Sequence, residues 1–249
     1  MFIAIDTPAG RADAYLTRPA DSDGVALPAV LLFIDAIGLR AQIEAMADRI
    51  ASWGYVVLAP NVFYRDGDAA ATSPDGPLDT PEARERFMAS AMARVASLTP
   101  EKSGPDTVAY LDALLAQPGV HGTVGVTGYC MGARLATRAA IDHPDVVAAC
   151  GGFHGGHLAT DAPDSIHLGL PRARAEFVYG HADHDRSMPI ESVELLGTAL
   201  AAAGLTFTNA IYPDAPHGYT MADTASYQEA GAERHYTELK ALLARTLDG

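Results

Sequence analysis

Basic side chains are scarce. Lys and Arg number 17 against 31 Asp and Glu, a formal net charge of -14 over 249 residues, and such a surface repels phosphate backbones and anionic headgroups. Nucleic acid is therefore not an expected partner, and an anionic small ligand needs a local cation to overcome the field. Long apolar runs are also missing. The longest, Val25 to Ile34, contains Pro28 and stops at Asp35, short of the roughly 18 residues that suggest a membrane span. The opening MFIAIDTPAGRAD has no basic stretch leading into an apolar one, so no secretory leader is expected and the chain reads as cytoplasmic. Two cysteines, Cys130 and Cys150, cannot supply a disulfide framework for a chain of this size, and a reducing compartment leaves both as thiols.

What is present is enough to bury. Apolar residues make up 49% and charged residues 19%, which excludes disorder as the main state, and the length suits a single α/β domain over 1–249. Short apolar or β-branched runs at Phe2 to Ile5, Ala12 to Thr17, Ala29 to Ile34, Tyr55 to Ala59, Thr123 to Thr127, Val146 to Cys150, Glu176 to Tyr179 and Thr206 to Tyr212 read as strands. Helical patterns lie at Ala41 to Ser52, Pro81 to Ser97, Asp106 to Ala116, Met131 to Ile141, Ile190 to Ala202 and Ala225 to Leu247. From Ala29 onward strand and helix alternate, which calls for right-handed crossovers and a mostly parallel central sheet with helices on both faces. The first two runs predict an antiparallel hairpin at the N-terminal edge. Arg65 to Leu78 reads as an irregular surface loop. No Gly-x-Gly-x-x-Gly follows an early strand, which sets a dinucleotide-binding enzyme aside.

The segment Val124 to Ala136 carries the most chemistry. An apolar strand meets a helix through Gly128-Tyr129-Cys130-Met131-Gly132, a nucleophile elbow with Cys in place of Ser. The turn is too tight for side chains two positions either side of the nucleophile, so glycines flank it. A Cys at a helix N-terminus gains from the positive end of the macrodipole, which favours thiolate, and the next backbone N–H, at Met131, points toward a developing oxyanion. A structural reading competes, with Cys130 as a small buried residue at a tight turn.

An elbow of this kind needs an acid after a later strand and a His after the last one. Gly180-His181-Ala182-Asp183 and Pro216-His217-Gly218 stand in those places. Asp183, which ends the Gly-x-x-Asp turn, is favoured as acceptor for His217 over Asp185, two residues on; the other ring nitrogen faces Cys130 as base and later acid. The cluster His181, Asp183, His184 and Asp185 sits in one compact loop, poor geometry for enclosing a metal, so no metal and no cofactor is expected. His154 and His157, flanked by glycines, are left as a loop beside the cleft.

With these residues in view the chain resembles the dienelactone hydrolase family of α/β-hydrolases. The resemblance rests on Gly-Tyr-Cys-Met-Gly at 128 to 132, Phe-Ile-Asp-Ala-Ile-Gly at 33 to 38, Ala-Pro-Asn-Val-Phe-Tyr-Arg at 59 to 65, and Pro-His-Gly-Tyr at 216 to 219. It implies an α/β-hydrolase fold, a Cys130 acyl-enzyme, a second oxyanion donor at the Ala36 N–H, and an acid at Asp35 that contacts the resting thiol, where the family usually has Glu. It also implies substrate contacts at Arg84 and Tyr129. The family arginine just after the catalytic His is missing: Gly218, Tyr219, Thr220 and Met221 follow His217. A lone Arg in a strongly acidic protein is a poor carboxylate clamp, so less charged lactones or small esters are expected as substrates rather than dienelactone itself. A non-catalytic ligand-binding protein on the same scaffold, and an acyltransferase, remain as alternatives.

Overall fold

A computed structural model of the chain describes every residue except Asp23, Pro77, Asp79 and Gly249, and Pro81 by its backbone alone. It divides into two compact units, residues 1–122 with 223–225 and residues 123–222 with 226–249.

The first unit opens with β1 (Phe2–Thr7) and β2 (Gly10–Thr17), the expected antiparallel hairpin, closing where Thr7 pairs with Gly10. Then come β3 (Leu27–Phe33), α1 (Ala41–Ala51), β4 (Val56–Pro60), a short α2 (Ala69–Thr72), α3 (Pro81–Ser97) and α4 (Pro100–Leu115). The strands lie in the order β1-β2-β4-β3, with β3 parallel to β4 and β2 antiparallel to it. Every residue of β4 is buried, as are Ala29 to Phe33, the continuous apolar reading of a strand covered on both sides. Helices α1 and α4 pack on these strands through Ile43, Met46 and Ile50, and through Tyr110, Leu111 and Leu114.

The second unit holds most of β5 (Val120–Tyr129), then α5 (Met131–Asp142), β6 (Val147–Phe153), a 3-10 helix (Ile166–Arg172), β7 (Glu176–His181), α6 (Ile190–Ala202), β8 (Phe207–Ile211) and α7 (Glu229–Leu247). Strands β5-β6-β7-β8 are all parallel. A parallel sheet puts all its strand-to-helix turns at one edge, so the loops after β5, β6, β7 and β8 converge there.

Three expectations shift. The last expected helix spanned Ala225 to Leu247, but α7 begins at Glu229, where the Gln228 side chain caps it by accepting from the Gly231 N–H at 2.6 Å. Helix α4 starts six residues earlier than Asp106. Pro105 lies inside it but removes only one rung from a helix already started by Pro100. The segment Arg65 to Leu78, within which Pro77 lies outside the described residues, is not wholly irregular. Asp68 caps α2 by accepting from the Ala71 N–H, and Asp13 accepts from the Ala69 N–H at 2.7 Å. Among the described residues no helix is long and apolar enough to cross a membrane.

Candidate active site

Cys130 sits between β5 and α5 with φ 54° and ψ -119°, a conformation that costs an L-residue about 1–3 kcal/mol and persists only where its surroundings hold it. They do. The Cys130 N–H donates to the Phe153 carbonyl at 3.1 Å, and the Cys130 carbonyl accepts from the Ala133 N–H at 3.2 Å. Gly128 has no substitute here, because a Cβ on it would stand 2.0 Å from the Gly132 carbonyl oxygen. Met131 is the first residue of α5, so its N–H has no partner within the helix.

The side chain left over from these backbone ties meets His217, on the loop after β8. His217 Nε2 lies 3.1 Å from Cys130 Sγ, and His217 Nδ1 lies 2.6 Å from Asp185 Oδ2. The other Asp185 oxygen accepts from the Ser187 N–H at 2.8 Å and the Ser187 hydroxyl at 2.7 Å. Burial opposes ionisation of Asp185, but the hydrogen bond from His217, its charge and the two from Ser187 outweigh it and hold the carboxyl down at about 2. Burial likewise opposes charge on His217, and its bonds to Asp185 and Cys130 outweigh that too, raising the imidazole to about 10.

The acid on His217 is therefore Asp185, and the preference for Asp183 is corrected. Strand β7 runs on to His181, two residues beyond the expected end, which moves the loop along and brings the later carboxylate to the ring. Asp183 has a different task. Its Oδ2 accepts from the Asp214 N–H at 3.0 Å and its own N–H donates to the Ala215 carbonyl at 2.7 Å, which fixes the turn leading to His217.

Tyr129 is also corrected. It is wholly buried, its hydroxyl is 3.3 Å from His235 Nε2 on α7, and its ring stacks on Phe153 at 5.8 Å, so it faces the core rather than a substrate. His181 is buried against Asn209 Oδ1 at 2.6 Å, while His184 is exposed. Among the described residues no three His, Cys, Asp or Glu side chains converge as metal ligands. The second thiol, Cys150, is fully buried, and burial pushes its titration far up.

In the first unit, Asp35 and Ala36 are buried. Asp35 Oδ1 accepts from the Ile37 N–H at 3.0 Å and from Arg40 at 2.8 Å, and Oδ2 accepts from Arg40 at 3.2 Å. Arg40 also donates to both oxygens of Asp223, at 2.6 and 3.1 Å, and to the Gly38 carbonyl. No local sequence motif points to Arg40 or Asp223. Arg84, on α3, lines a cavity of about 370 Å³ with Leu78, Thr80, Glu85, Met88 and Ala225.

A cysteine on a strained strand-to-helix turn, with a carboxylate after a later strand and a histidine after the last, is the arrangement of the α/β-hydrolase fold. The sequence profile of the dienelactone hydrolase family matches residues 12–247, and the chain belongs to that family. A Salmonella typhimurium protein named "Putative carboxymethylenebutenolidase" is 30% identical over 239 residues, covering 88% of this chain and 77% of its own. An Escherichia coli protein of the same name is 29% identical over 245 residues, covering 93% and 82%. Among solved structures, "Putative Dienelactone Hydrolase" from Klebsiella pneumoniae superposes with a TM-score of 0.81 over 98% of both chains at 23% identity, which establishes the fold.

Proposed function

We propose that the protein hydrolyses lactones or small esters through an acyl-enzyme on Cys130. The observation that carries this reading is the single line of contacts from Sγ to Nε2 and from Nδ1 to Oδ2, at 3.1 and 2.6 Å. The Cys130 thiol gives its proton to His217 Nε2 and the resulting thiolate attacks the substrate carbonyl carbon; the oxyanion is held by the Met131 N–H, with the Ala36 N–H as the second donor that the family resemblance implies. The C–O bond breaks as His217 Nε2 gives its proton to the leaving oxygen. Water then loses a proton to the same nitrogen as it attacks the thioester, releasing the acid and returning the sulfur. Asp185 accepts from Nδ1 throughout, fixing tautomer and ring plane.

A thiolate expels an alkoxide poorly, so an enol lactone or aryl ester, whose leaving oxygen is stabilised, suits the site better than an alkyl ester. The name of those relatives, carboxymethylenebutenolidase, supports a lactone class. The missing Arg after His217 and the net charge of -14 favour substrates with little negative charge. The test compares wild type with Cys130→Ala on a panel of enol lactones and aryl esters. Turnover by wild type alone supports the reading, and equal turnover by both removes it.

A further inference from the structure

We infer that His154, just beyond β6, is a positioning residue: it fixes the loop that carries His217 and so the approach of the His217 ring to Cys130. The inference rests on the hydrolase reading for its catalytic meaning, and on contacts within the second unit for its geometry. His154 touches three of the four residues from 217 to 220. Its Nε2 lies 2.8 Å from the Thr220 hydroxyl, and its ring meets those of His217 and Tyr219 edge to face, with centroids 5.3 and 5.1 Å away. Its own N–H donates to the Gly180 carbonyl at 2.8 Å, and the Tyr219 hydroxyl donates to that same oxygen at 3.0 Å. One carbonyl at the end of β7 thus ties both His154 and the His217 loop to the sheet.

The backbone at His154 is held in an uncommon conformation. Its φ is +39°, uncommon for a residue with a Cβ, and the side chain is 1% exposed. The groups around it are His217 and Tyr219 on the loop after β8, Asp185 on the loop after β7, Tyr129 on β5 and His235 on α7. Burial, then the nearness of His217 and His235, keeps the His154 ring uncharged well below the usual histidine range. That state matters beside His217, because a second positive charge 5.3 Å away would drive the proton off the ring that must deliver it.

Two substitutions separate positioning from mere packing. His154→Phe keeps an aromatic edge and loses the bond to Thr220, and Thr220→Val removes the same bond from the other side at nearly constant volume. The readouts are kcat and KM for 4-nitrophenyl acetate and the titration of His217, followed by its ring C–H signal in the NMR spectrum. Both variants are expected to lower kcat about tenfold with KM within about twofold, and to move the His217 titration down from about 10. Thr220→Ser, which retains the hydroxyl, is expected to restore both. Folded variants that melt earlier but keep the wild-type kcat and His217 titration would overturn the inference. Should His154→Phe not fold, the Thr220 pair decides alone. If wild type hydrolyses no ester, the hydrolase reading fails while the His217 titration still decides whether His154 positions that ring.

Discussion

Two buried acids, one in each unit, show how the same residue type serves opposite ends. Asp35 spends both oxygens on Arg40 and one also on the Ile37 N–H, and Arg40 divides its donors between Asp35, Asp223 and a carbonyl. Burial works against charge on Arg40, and the two carboxylates hold it protonated nonetheless. Asp185 is equally well supplied, by Ser187 on one oxygen and His217 on the other, but its partner is a ring with a second nitrogen, and that nitrogen faces a sulfur. A carboxylate paired with a guanidinium makes a strut. Paired with an imidazole, it passes its influence through the ring to a third group.

The sharpest way to break this contrast is to remove the sulfur. Cys130→Ala is expected to lower kcat on an enol lactone by about 10⁴- to 10⁶-fold with little change in the melting temperature, since the strained turn loses no backbone bond. Next in size, Asp185→Asn leaves His217 without its acceptor and is expected to lower kcat about 10²- to 10⁴-fold. Asp183→Ala removes only a brace on the Asp214 N–H and is expected to cost about 1 kcal/mol of stability with kcat near wild type. The reverse ranking of these two variants in a steady-state assay would restore Asp183 as the triad acid.

Arg40→Met tests the strut. It strands two carboxylates, one of them buried, and breaking a buried pair from one side costs about 3–5 kcal/mol, to be read as a drop in the urea midpoint. If Asp35 instead contacts the resting thiol, Asp35→Asn will change the alkylation rate of Cys130. The strut account expects Asp35→Asn to lower stability and leave that rate alone.

The smallest effect is in the pH dependence of stability. His217 is raised from 6.5 to about 10, so the stabilisation of its charged form is complete below about 6.5 and fades as pH climbs through about 10. Asp185 is lowered from 3.8 to about 2, so its contribution is present above about 3.8 and fades as pH falls through about 2. The difference in melting temperature between wild type and His217→Gln is expected to be largest between about pH 4 and 6.5 and to shrink toward pH 10. A difference that stays flat over that range contradicts the coupling.

Much of this was legible in the sequence. All eight strands were anticipated because their apolar runs end at turn residues, and the elbow announced itself through Gly128 and Gly132. The error over Asp183 came from strand length, since nothing in Gly180-His181 signals that pairing with β8 continues through His181 and Ile211. Tyr129 misled because a residue beside the elbow cysteine looks available, yet the strand's alternation turns it away from Cys130 toward Phe153 and His235. Arg40 with Asp223, and His154 with Thr220, were invisible for a common reason. Each pairs residues far apart in the chain, 183 and 66 positions, and no local pattern encodes such a meeting.

The most direct measurement is mass analysis of the protein quenched during turnover of an activated aryl ester, with the acyl mass located by peptide mapping. The account predicts an acyl group on Cys130, none on Cys150, and its accumulation in Asp185→Asn slowed along with product release. Steady hydrolysis by a protein that never carries an acyl group on Cys130, and that survives Cys130→Ala, would contradict it.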